Sequence, residues 1–322
     1  MIVSVATSEL LVSNVGLLPK KPVETTDNRT YAASLHASIH IESNSDFTTV
    51  GAAYGCSCVR GGAGIERDPY IISRWVLNAS IDTGIYISDT NAYSVITGLV
   101  IYGNSYHVGI VLNNVGNVTV ENSIIKDNFA GVYAVDARNL TFANNTIENN
   151  EYGIRLEASD SNLVSANYFM QDKLAIFLRG SDNTVTDNRV TTSGFGAINI
   201  DGTLGRANGN VIEANSVTNS SGYAIGMWEA TNCLVKSNNI TRNGAGITLT
   251  DNSQNNTIDW NTVTNSEGNG IAISEHSVRN VVSRNTVLGN GDGVNTFDLL
   301  DLTLNNTWQN NTYATKNPNA LD

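Results

Sequence analysis

The most informative stretch of the chain runs Gly109-Ile110-Val111-Leu112 and continues, after a short gap, as Asn117-Val118-Thr119-Val120-Glu121-Asn122. The same pattern returns 22 residues later as Gly131-Val132-Tyr133-Ala134 and Asn139-Leu140-Thr141-Phe142-Ala143-Asn144. Each copy has a small residue, an apolar-x-apolar triplet, and two Asn residues that enclose a second alternating stretch. About ten such copies follow one another from Gly84 to the C-terminal tail. A repeat of this length is typical of a solenoid.

Two columns of polar residues recur in register along these copies. Asn tolerates the left-handed backbone of turns, and stacked Asn amides can hydrogen-bond from one coil to the next. We therefore expect both columns to mark corners of the coil. The later column is Asn122, Asn144, Asn167, Asn188, Asn215, Asn238, Asn261, Asn285 and Asn306, at intervals of 21 to 27 residues, and the earlier column is Asn117, Asn139, Asn162, Asn183, Asn210, Cys233, Asn256, Asn280 and Asp301.

Within each copy the apolar residues alternate with period two, as at Ile110 and Leu112 or Ile154 and Leu156. Such short alternation indicates half-buried strands rather than helices. Three short strands can close one coil, and each coil would lie about 4.8 Å from the next. The sequence thus predicts an all-β fold, a single-stranded right-handed parallel β-helix (solenoid) of about ten coils. A further corner that disfavours side chains is marked by Gly84, Gly109, Gly131, Gly153, Gly246, Gly270 and Gly293, with Ala175, Ala197 and Ala224 at equivalent positions.

The repeat covers most of the chain, so we expect one elongated domain at residues 84–310. The residues before it divide into an N-terminal segment at 1–30, unstructured or processed, and a capping region with the first coil at 31–83. A polar tail follows at 311–322. A cap is expected because the open end of a β-helix would otherwise promote aggregation.

The formal net charge of −12 disfavours nucleic-acid phosphates and anionic membranes as partners. No apolar run reaches the length of a membrane-spanning segment.

A lead-in segment and the repeat together resemble a known family. The segment reads Gly61-Gly62-Ala63-Gly64-Ile65-Glu66-Arg67-Asp68-Pro69-Tyr70-Ile71-Ile72-Ser73-Arg74-Trp75, followed by Asn78-Ala79-Ser80 and Thr83-Gly84-Ile85-Tyr86-Ile87. Over residues 39–311 the chain resembles the NosD-like right-handed β-helix proteins of the carbohydrate-binding and sugar-hydrolysis group in the pectin-lyase-like superfamily. In particular it looks like archaeal cell-surface or secreted members.

The resemblance implies the fold and an extracellular or cell-surface location. It implies no single activity, because the superfamily includes polysaccharide lyases, hydrolases, epimerases, a periplasmic protein linked to copper-site maturation, and surface proteins without known activity. The Asp-Pro-His-Asp motif of the alginate epimerases is missing from this chain. No lyase signature can be carried over either.

Outward-facing positions of the repeat supply the candidate site. The residue between the two inward aliphatics forms one outward column, which ends at Asn295, and the residue two positions later forms a second, which ends at Phe297. Aromatic faces stack on sugar rings, while Arg and carboxylate groups bind hydroxyls or uronates. We therefore predict a saccharide groove midway along the rod. Its substrate-binding residues would be Tyr133, Arg155, Phe177, Arg179, Asn199 and Trp228.

Catalysis by the same face is an alternative. Glu157 and Asp201 would lie two coils apart, or about 9.6 Å at ordinary strand spacing, which suits an inverting glycoside hydrolase. A lyase would instead need a base such as Arg155, Arg179 or Lys173. The same side chains can also serve only to stabilise the sheet, since neighbouring strands pair aromatic and charged residues on their outer faces.

Metal binding is a third possibility. His36, His40, Cys56 and Cys58 form the one conceivable soft-metal cluster in the sequence, and it would serve a copper accessory protein. Ladder Asp and Asn oxygens could hold Ca²⁺. Otherwise we expect no cofactor or metal.

The preferred interpretation is a secreted or surface-displayed β-helix without catalytic activity, which binds a polysaccharide or other glycan or serves as a structural element of the envelope. Other cell-envelope proteins are a further class of partner. A polysaccharide lyase or glycoside hydrolase is the alternative, and a copper accessory protein comes third.

Overall fold

The computed structural model describes residues 34–48, 57–203, 205–274 and 276–320. The segment 1–30 of the sequence-based partition lies outside these residues. The described residues contain 34 strands and one short 3-10 helix at Asn44–Phe47. The first seventeen strands are β1 (Ser34–His36), β2 (Ile39–Ile41), β3 (Tyr70–Ser73), β4 (Trp75–Asn78), β5 (Ile85–Thr90), β6 (Ser94–Thr97), β7 (Val100–Tyr102), β8 (Val108–Val115), β9 (Val118–Glu121), β10 (Ile124–Lys126), β11 (Ala130–Val135), β12 (Thr141–Ala143), β13 (Thr146–Glu148), β14 (Tyr152–Glu157), β15 (Leu163–Ser165), β16 (Tyr168–Met170) and β17 (Leu174–Arg179).

The remaining strands continue the repeat of three strands per coil. They are β18 (Thr184–Thr186), β19 (Arg189–Thr191), β20 (Gly196–Asp201), β21 (Val211–Glu213), β22 (Ser216–Thr218), β23 (Tyr223–Trp228), β24 (Leu234–Lys236), β25 (Asn239–Thr241), β26 (Ala245–Thr250), β27 (Thr257–Asp259), β28 (Thr262–Thr264), β29 (Ile271–Ile273), β30 (Val281–Ser283), β31 (Thr286–Leu288), β32 (Leu299–Asp301), β33 (Thr307–Gln309) and β34 (Thr312–Tyr313).

Every third strand belongs to the same sheet, which is the topology of a parallel β-helix. Sheet 1 runs from β1 to β34 and has 12 strands; sheet 2 runs from β2 to β32 and sheet 3 from β3 to β33, with 11 strands each. Neighbouring strands are parallel throughout the described residues, as between β11 and β14. The all-β solenoid predicted from the sequence is therefore confirmed, with about eleven coils.

Aliphatic residues fill the interior of the coils in files. Ile110, Val132 and Ile154 are adjacent in sheet 2, and all three are fully buried. Phe142 and Phe169 are the largest of the fully buried side chains. One coil cannot bury its own apolar face, so each file depends on the coils above and below it.

At the corners, two adjacent positions share the two roles that the sequence pattern assigned to a single Asn. One position takes the left-handed backbone conformation, and the other forms the amide ladder. Asn122 and Asn144 take the left-handed conformation, with φ of 50° and 55°. The buried ladder begins one residue later in these coils, where Asn145 donates its Nδ2 to Asn167 Oδ1 over 3.0 Å. The placement of Asn122 and Asn144 in the ladder was thus wrong. The ladder is Ser123, Asn145, Asn167, Asn188, Asn215, Asn238, Asn261, Asn285 and Asn311.

The earlier column needs the same correction. Asn117 and Asn139 are left-handed corner residues, with φ of 60° and 54°. At the C-terminal end Asn306, not Asp301, completes this ladder, because the backbone and side-chain amides of Asn280 both donate to its Oδ1. The ladder is Leu140, Asn162, Asn183, Asn210, Cys233, Asn256, Asn280 and Asn306.

A third ladder, which the sequence analysis missed, follows the strands of sheet 1. Asn128 donates its side-chain amide to Asn150 Oδ1, and Asn150 donates in turn to Asp172 Oδ1. It continues near the C-terminal end with Asn290 and Asp298.

The last coil differs from the predicted alignment. Gly293, Asn295 and Phe297 were assigned to the corner and the two outward columns, but they lie in a loop before β32. Asp292 organises this loop by accepting the backbone N–H groups of Val294, Asn295 and Thr296. In the sheet, Ala272 pairs with Leu300. The inserted loop therefore shifts the last coil by several residues.

At the N-terminal end β1 and β2 are the first members of sheets 1 and 2. The described part of the chain contains no helix with the length and apolar character that crossing a membrane requires.

Candidate functional site

The strand register places the predicted site residues side by side on the outer face of sheet 2. Tyr133, Arg155, Phe177 and Asn199 occupy one row across four neighbouring strands. In a parallel row Glu157 pairs with Arg179. Further along this row Asp201 pairs with Trp228, so the structure brings all eight candidates onto one face.

Four of these side chains form a continuous ionic chain, defined here as Arg155, Glu157, Arg179 and Asp201. Arg155 donates Nε to Glu157 Oε1 at 2.9 Å, and Arg179 donates an Nη to Glu157 Oε2 at 3.0 Å. Its second Nη donates to Asp201 Oδ2 at 2.5 Å. The other Asp201 oxygen accepts the backbone N–H and the hydroxyl of Thr203, at 2.9 and 2.6 Å. All four carboxylate oxygens are thus engaged.

The electrostatics of the ionic chain favour charged groups. Burial alone would raise the pKa of Asp201, but the hydrogen bonds from Thr203 and Arg179 outweigh it and leave that pKa below its usual value. The hydrogen bond to Asp201 is also the main reason why the pKa of Arg179 is raised. A general acid needs a raised carboxyl pKa, so the environment of Asp201 works against that role.

Phe177 is not an open stacking platform. Only 7% of the residue is exposed. The guanidinium carbons of Arg155 and Arg179 each lie 5.3 Å from its ring centroid, and the ring of Tyr152 packs against it at 6.2 Å. Phe177 therefore supports the two arginines by cation–π contact, and a sugar cannot reach its face unless they move.

A half-buried aromatic cluster lies one step further along the sheet. Tyr223 and Trp228 pack edge to face with centroids 4.8 Å apart. Both rings lie over Gly226, where an added Cβ would come within 2.2 Å of the indole and 2.7 Å of the phenol. Phe195, which is 63% exposed, packs against Tyr223 at 5.7 Å. The absence of a side chain at Gly226 is thus what allows two aromatic rings to lie on the sheet.

Three buried polar atoms of this face have no hydrogen-bond partner: Asn199 Oδ1, Tyr223 Oη and Arg179 Nε. Asn199 pairs with Gly226, beneath the two rings, and with Phe177 on its other side. Burial raises the pKa of Tyr223, and repulsion from Asp201 and Tyr152 adds to the effect, so its hydroxyl remains protonated. We call Asn199, Tyr223 and Arg179 Nε the polar trio.

Sequence analysis missed Tyr152, Tyr223 and Thr203. The two tyrosines directly precede the small corner residues Gly153 and Ala224, a position outside the apolar-x-apolar triplet. An aromatic residue immediately before that corner was the available signal.

Comparisons with known proteins agree with the fold. The family model described as "Periplasmic copper-binding protein (NosD)" matches residues 66–203, and that described as "Right handed beta helix region" matches residues 170–313. The chain therefore adopts the right-handed parallel β-helix fold of pectin-lyase-like proteins, and part of it matches the NosD family model. The search of curated proteins found no significant match to this β-helix.

Several solved structures share the fold of this β-helix at low sequence identity. The periplasmic alginate epimerase AlgG is 14% identical, with a TM-score of 0.52, over 76% of this chain and 85% of its own. An alginate lyase from Paenibacillus is 12% identical, with a TM-score of 0.58, over 86% and 99%. PfbA, a surface adhesin of Streptococcus pneumoniae, is 12% identical, with a TM-score of 0.56, over 80% and 75%.

The copper named in the first family description finds no matching ligand set among the described residues of this β-helix. They contain no group of three or more His, Cys, Asp or Glu side chains arranged around a common point. Cys58 is disulfide-bonded and so offers no thiolate, while Cys56 lies outside the described residues. His40 faces Asp82 at 3.3 Å and His36 packs on Trp75. The ligands of a soft-metal site therefore do not converge here.

Proposed function

We propose that this β-helix binds carbohydrate without catalysis, through the outer face of sheet 2, at the cell surface or outside the cell. The observation that carries the proposal is the aromatic pair of Tyr223 and Trp228, packed edge to face over Gly226 beside the ionic chain. Exposed aromatic rings next to planar hydrogen-bonding groups are the usual means of binding a sugar ring.

The solved structures with this fold agree with a carbohydrate ligand but do not carry the proposal. The neighbours include enzymes named for alginate and a surface adhesin, and one of them is periplasmic. At these identities they support the architecture alone, so the ligand class rests on the aromatic and ionic surface of this chain.

The absence of catalysis is proposed because the candidate acids and bases are already engaged. Both oxygens of Glu157 accept arginine N–H groups, and Asp201 is held in its ionised form. The bases considered for a lyase are paired as well, since Lys173 contacts Glu151 at 2.5 Å. Hydrolysis requires free carboxyl groups on either side of a glycosidic bond, and this arrangement does not offer them.

A glycan array tests the proposal with two tryptophan variants. Trp228→Ala should lose the glycan signals of the native protein. Trp260→Ala should retain them, because Trp260 is 57% exposed and lies in a corner after sheet 3, away from this face. No glycan signal, or equal loss in both variants, would remove the proposed function. Any release of sugar ends that Glu157→Gln or Asp201→Asn abolishes would favour the enzymatic alternative.

A further inference from the structure

We propose that this face selects neutral sugars over uronates, with the polar trio as the groups that bind sugar hydroxyls. The inference rests on the proposed carbohydrate binding and names its ligand class. It assigns Tyr223 and Asn199 as the residues that determine specificity.

The charge balance of the ionic chain disfavours a carboxylate ligand. Its two guanidinium groups face two carboxylates, at N–O distances between 2.5 and 3.0 Å. A uronate that paired with Arg155 or Arg179 would compete with Glu157, which is 8% exposed and accepts hydrogen bonds from both arginines. Leaving a buried charge unpaired is strongly unfavourable. The formal net charge of −12 adds long-range repulsion of polyanions.

The polar trio matches hydroxyl groups better than carboxylates. Asn199 Oδ1 can only accept a hydrogen bond, Arg179 Nε can only donate one, and the Tyr223 hydroxyl can do either. A sugar hydroxyl both donates and accepts, so hydroxyls that enter when the covering side chains shift can satisfy these buried atoms. An ionised carboxylate has no proton to donate and would be repelled by Asn199 Oδ1.

The aromatic rings beside the trio supply the apolar part of the site. The phenol of Tyr223 contacts both Phe195 and Trp228. An added Cβ on Gly196 would lie 2.5 Å from this phenol, so that ring also covers the glycine of the neighbouring strand. The C–H face of a pyranose can pack on the accessible part of these ring faces while its hydroxyls reach the trio.

The test measures binding of the full chain to immobilised polysaccharides by affinity electrophoresis. The probes are neutral glucans, mannans and galactans, with alginate and polygalacturonate as the polyuronates. The expected result is binding to at least one neutral polymer at least about tenfold tighter than to either polyuronate, the ratio that corresponds to about 1.4 kcal/mol. Equal or tighter polyuronate binding that Trp228→Ala abolishes would overturn the neutral selectivity and leave the proposed function standing. Binding to neither class would overturn both.

Variants of single functional groups test the trio itself. Tyr223→Phe removes only the hydroxyl and should weaken binding to the neutral polymer about tenfold. Tyr86→Phe is the matched control on the same face, several coils away, and should bind like the native protein. Unchanged binding by Tyr223→Phe would overturn the assignment of the hydroxyl-binding groups.

The charge argument has its own gain-of-function test. Glu157→Gln removes one carboxylate from the ionic chain and should raise the ratio of polyuronate binding to neutral binding at least about threefold. Asp201→Asn frees Arg179 from the other side and should act in the same direction. Both variants are first checked for a native unfolding transition. If one of them does not fold, the other carries the test. If neither raises polyuronate binding, paired arginines are not the cause of the selectivity.

Discussion

Replacing Asp172 by Asn should stabilise the protein, because Asp172 occupies an Asn position of the third ladder without a full set of partners. Its Oδ1 accepts the backbone and side-chain amides of Asn150 at 2.9 and 2.8 Å. Its Oδ2 is buried and has no partner, and no part of the residue is exposed. Burial is the main reason why the pKa of Asp172 lies well above its usual value.

The size of the effect follows from that unpartnered oxygen. A buried polar atom without a hydrogen bond costs about 1–3 kcal/mol. In Asp172→Asn an NH₂ group takes its place and can donate to backbone carbonyls, as Asn150 Nδ2 donates to Glu148 O at 3.0 Å. We expect the free energy of unfolding at pH 8 to rise by about 2 kcal/mol, which raises the thermal midpoint by about 3 °C.

The pH dependence of the stability difference between the native protein and Asp172→Asn is an independent check on its direction. A carboxyl with a raised folded-state pKa contributes stability that is complete below its unfolded pKa and is lost as the pH rises through the folded value. The native protein should therefore lose stability relative to Asp172→Asn from about pH 4 upwards. Urea unfolding followed by circular dichroism from pH 4 to pH 8 measures the difference, which should be smallest at pH 4.

Asp298→Asn is the matched control, because Asp298 lies in the same ladder with both oxygens satisfied. Its Oδ2 accepts the backbone N–H groups of Ala314 and Thr315, at 2.9 and 3.0 Å. An NH₂ group there would face two donors, so this variant should lose about 2 kcal/mol. Equal stability of Asp172→Asn and the native protein at every pH, or stabilisation by Asp298→Asn, would refute the reasoning.

Three further changes have defined outcomes. Cys233→Asn should add about 1 kcal/mol in urea unfolding, because Asn210 Nδ2 donates to Gly180 O at 2.9 Å but has only a sulfur at 4.0 Å as its acceptor in the ladder; an unchanged midpoint would contradict a ladder role for this position. Gly226→Ala should keep the unfolding midpoint within a few degrees but weaken glycan retention at least about tenfold, since the added Cβ would displace the two rings; native retention would contradict their role. Arg179→Ala should destabilise by about 2 kcal/mol at pH 7 and less as the pH falls below about 4, because the stability from the lowered pKa of Asp201 is lost as the pH falls through the folded value; a loss independent of pH would exclude this ion pair as its cause.

The strand architecture could be predicted because inward and outward residues alternate with a constant period. Residues such as Ile110 and Leu112 can satisfy both the alternation and the repeat only as stacked parallel strands. The same register placed Glu157 beside Arg179 and Asp201 beside Trp228. Lateral neighbours on a β-helix are thus accessible from sequence alone.

The corners and the last coil were harder because one residue type serves two purposes. Asn fits both the left-handed corner position of Asn144 and the buried ladder position of Asn145. Period alone cannot separate two adjacent positions that both favour Asn. The loop around Asp292 adds residues without a change in composition, so its shift of the final coil left no signal in the sequence.

At the site, the directions in which the side chains point could not be predicted from the sequence. Phe177 has an outward position, yet two arginines fold over it and bury it. Trp228 was predicted as part of the site and Tyr223 was missed, and only the structure shows that both rings lie over Gly226. Where long side chains come to rest on a sheet depends on the gaps between them, and a sequence pattern does not specify those gaps.

A crystal structure of the full chain with a neutral oligosaccharide that it binds tests the central claim most directly. The account predicts a sugar ring packed against Trp228 and Tyr223, with hydroxyls within hydrogen-bond distance of Asn199 Oδ1 and Tyr223 Oη, while the ionic chain stays intact. A sugar bound on sheet 1 or sheet 3, or one held by Arg155 and Arg179 after Glu157 has moved away, would contradict it.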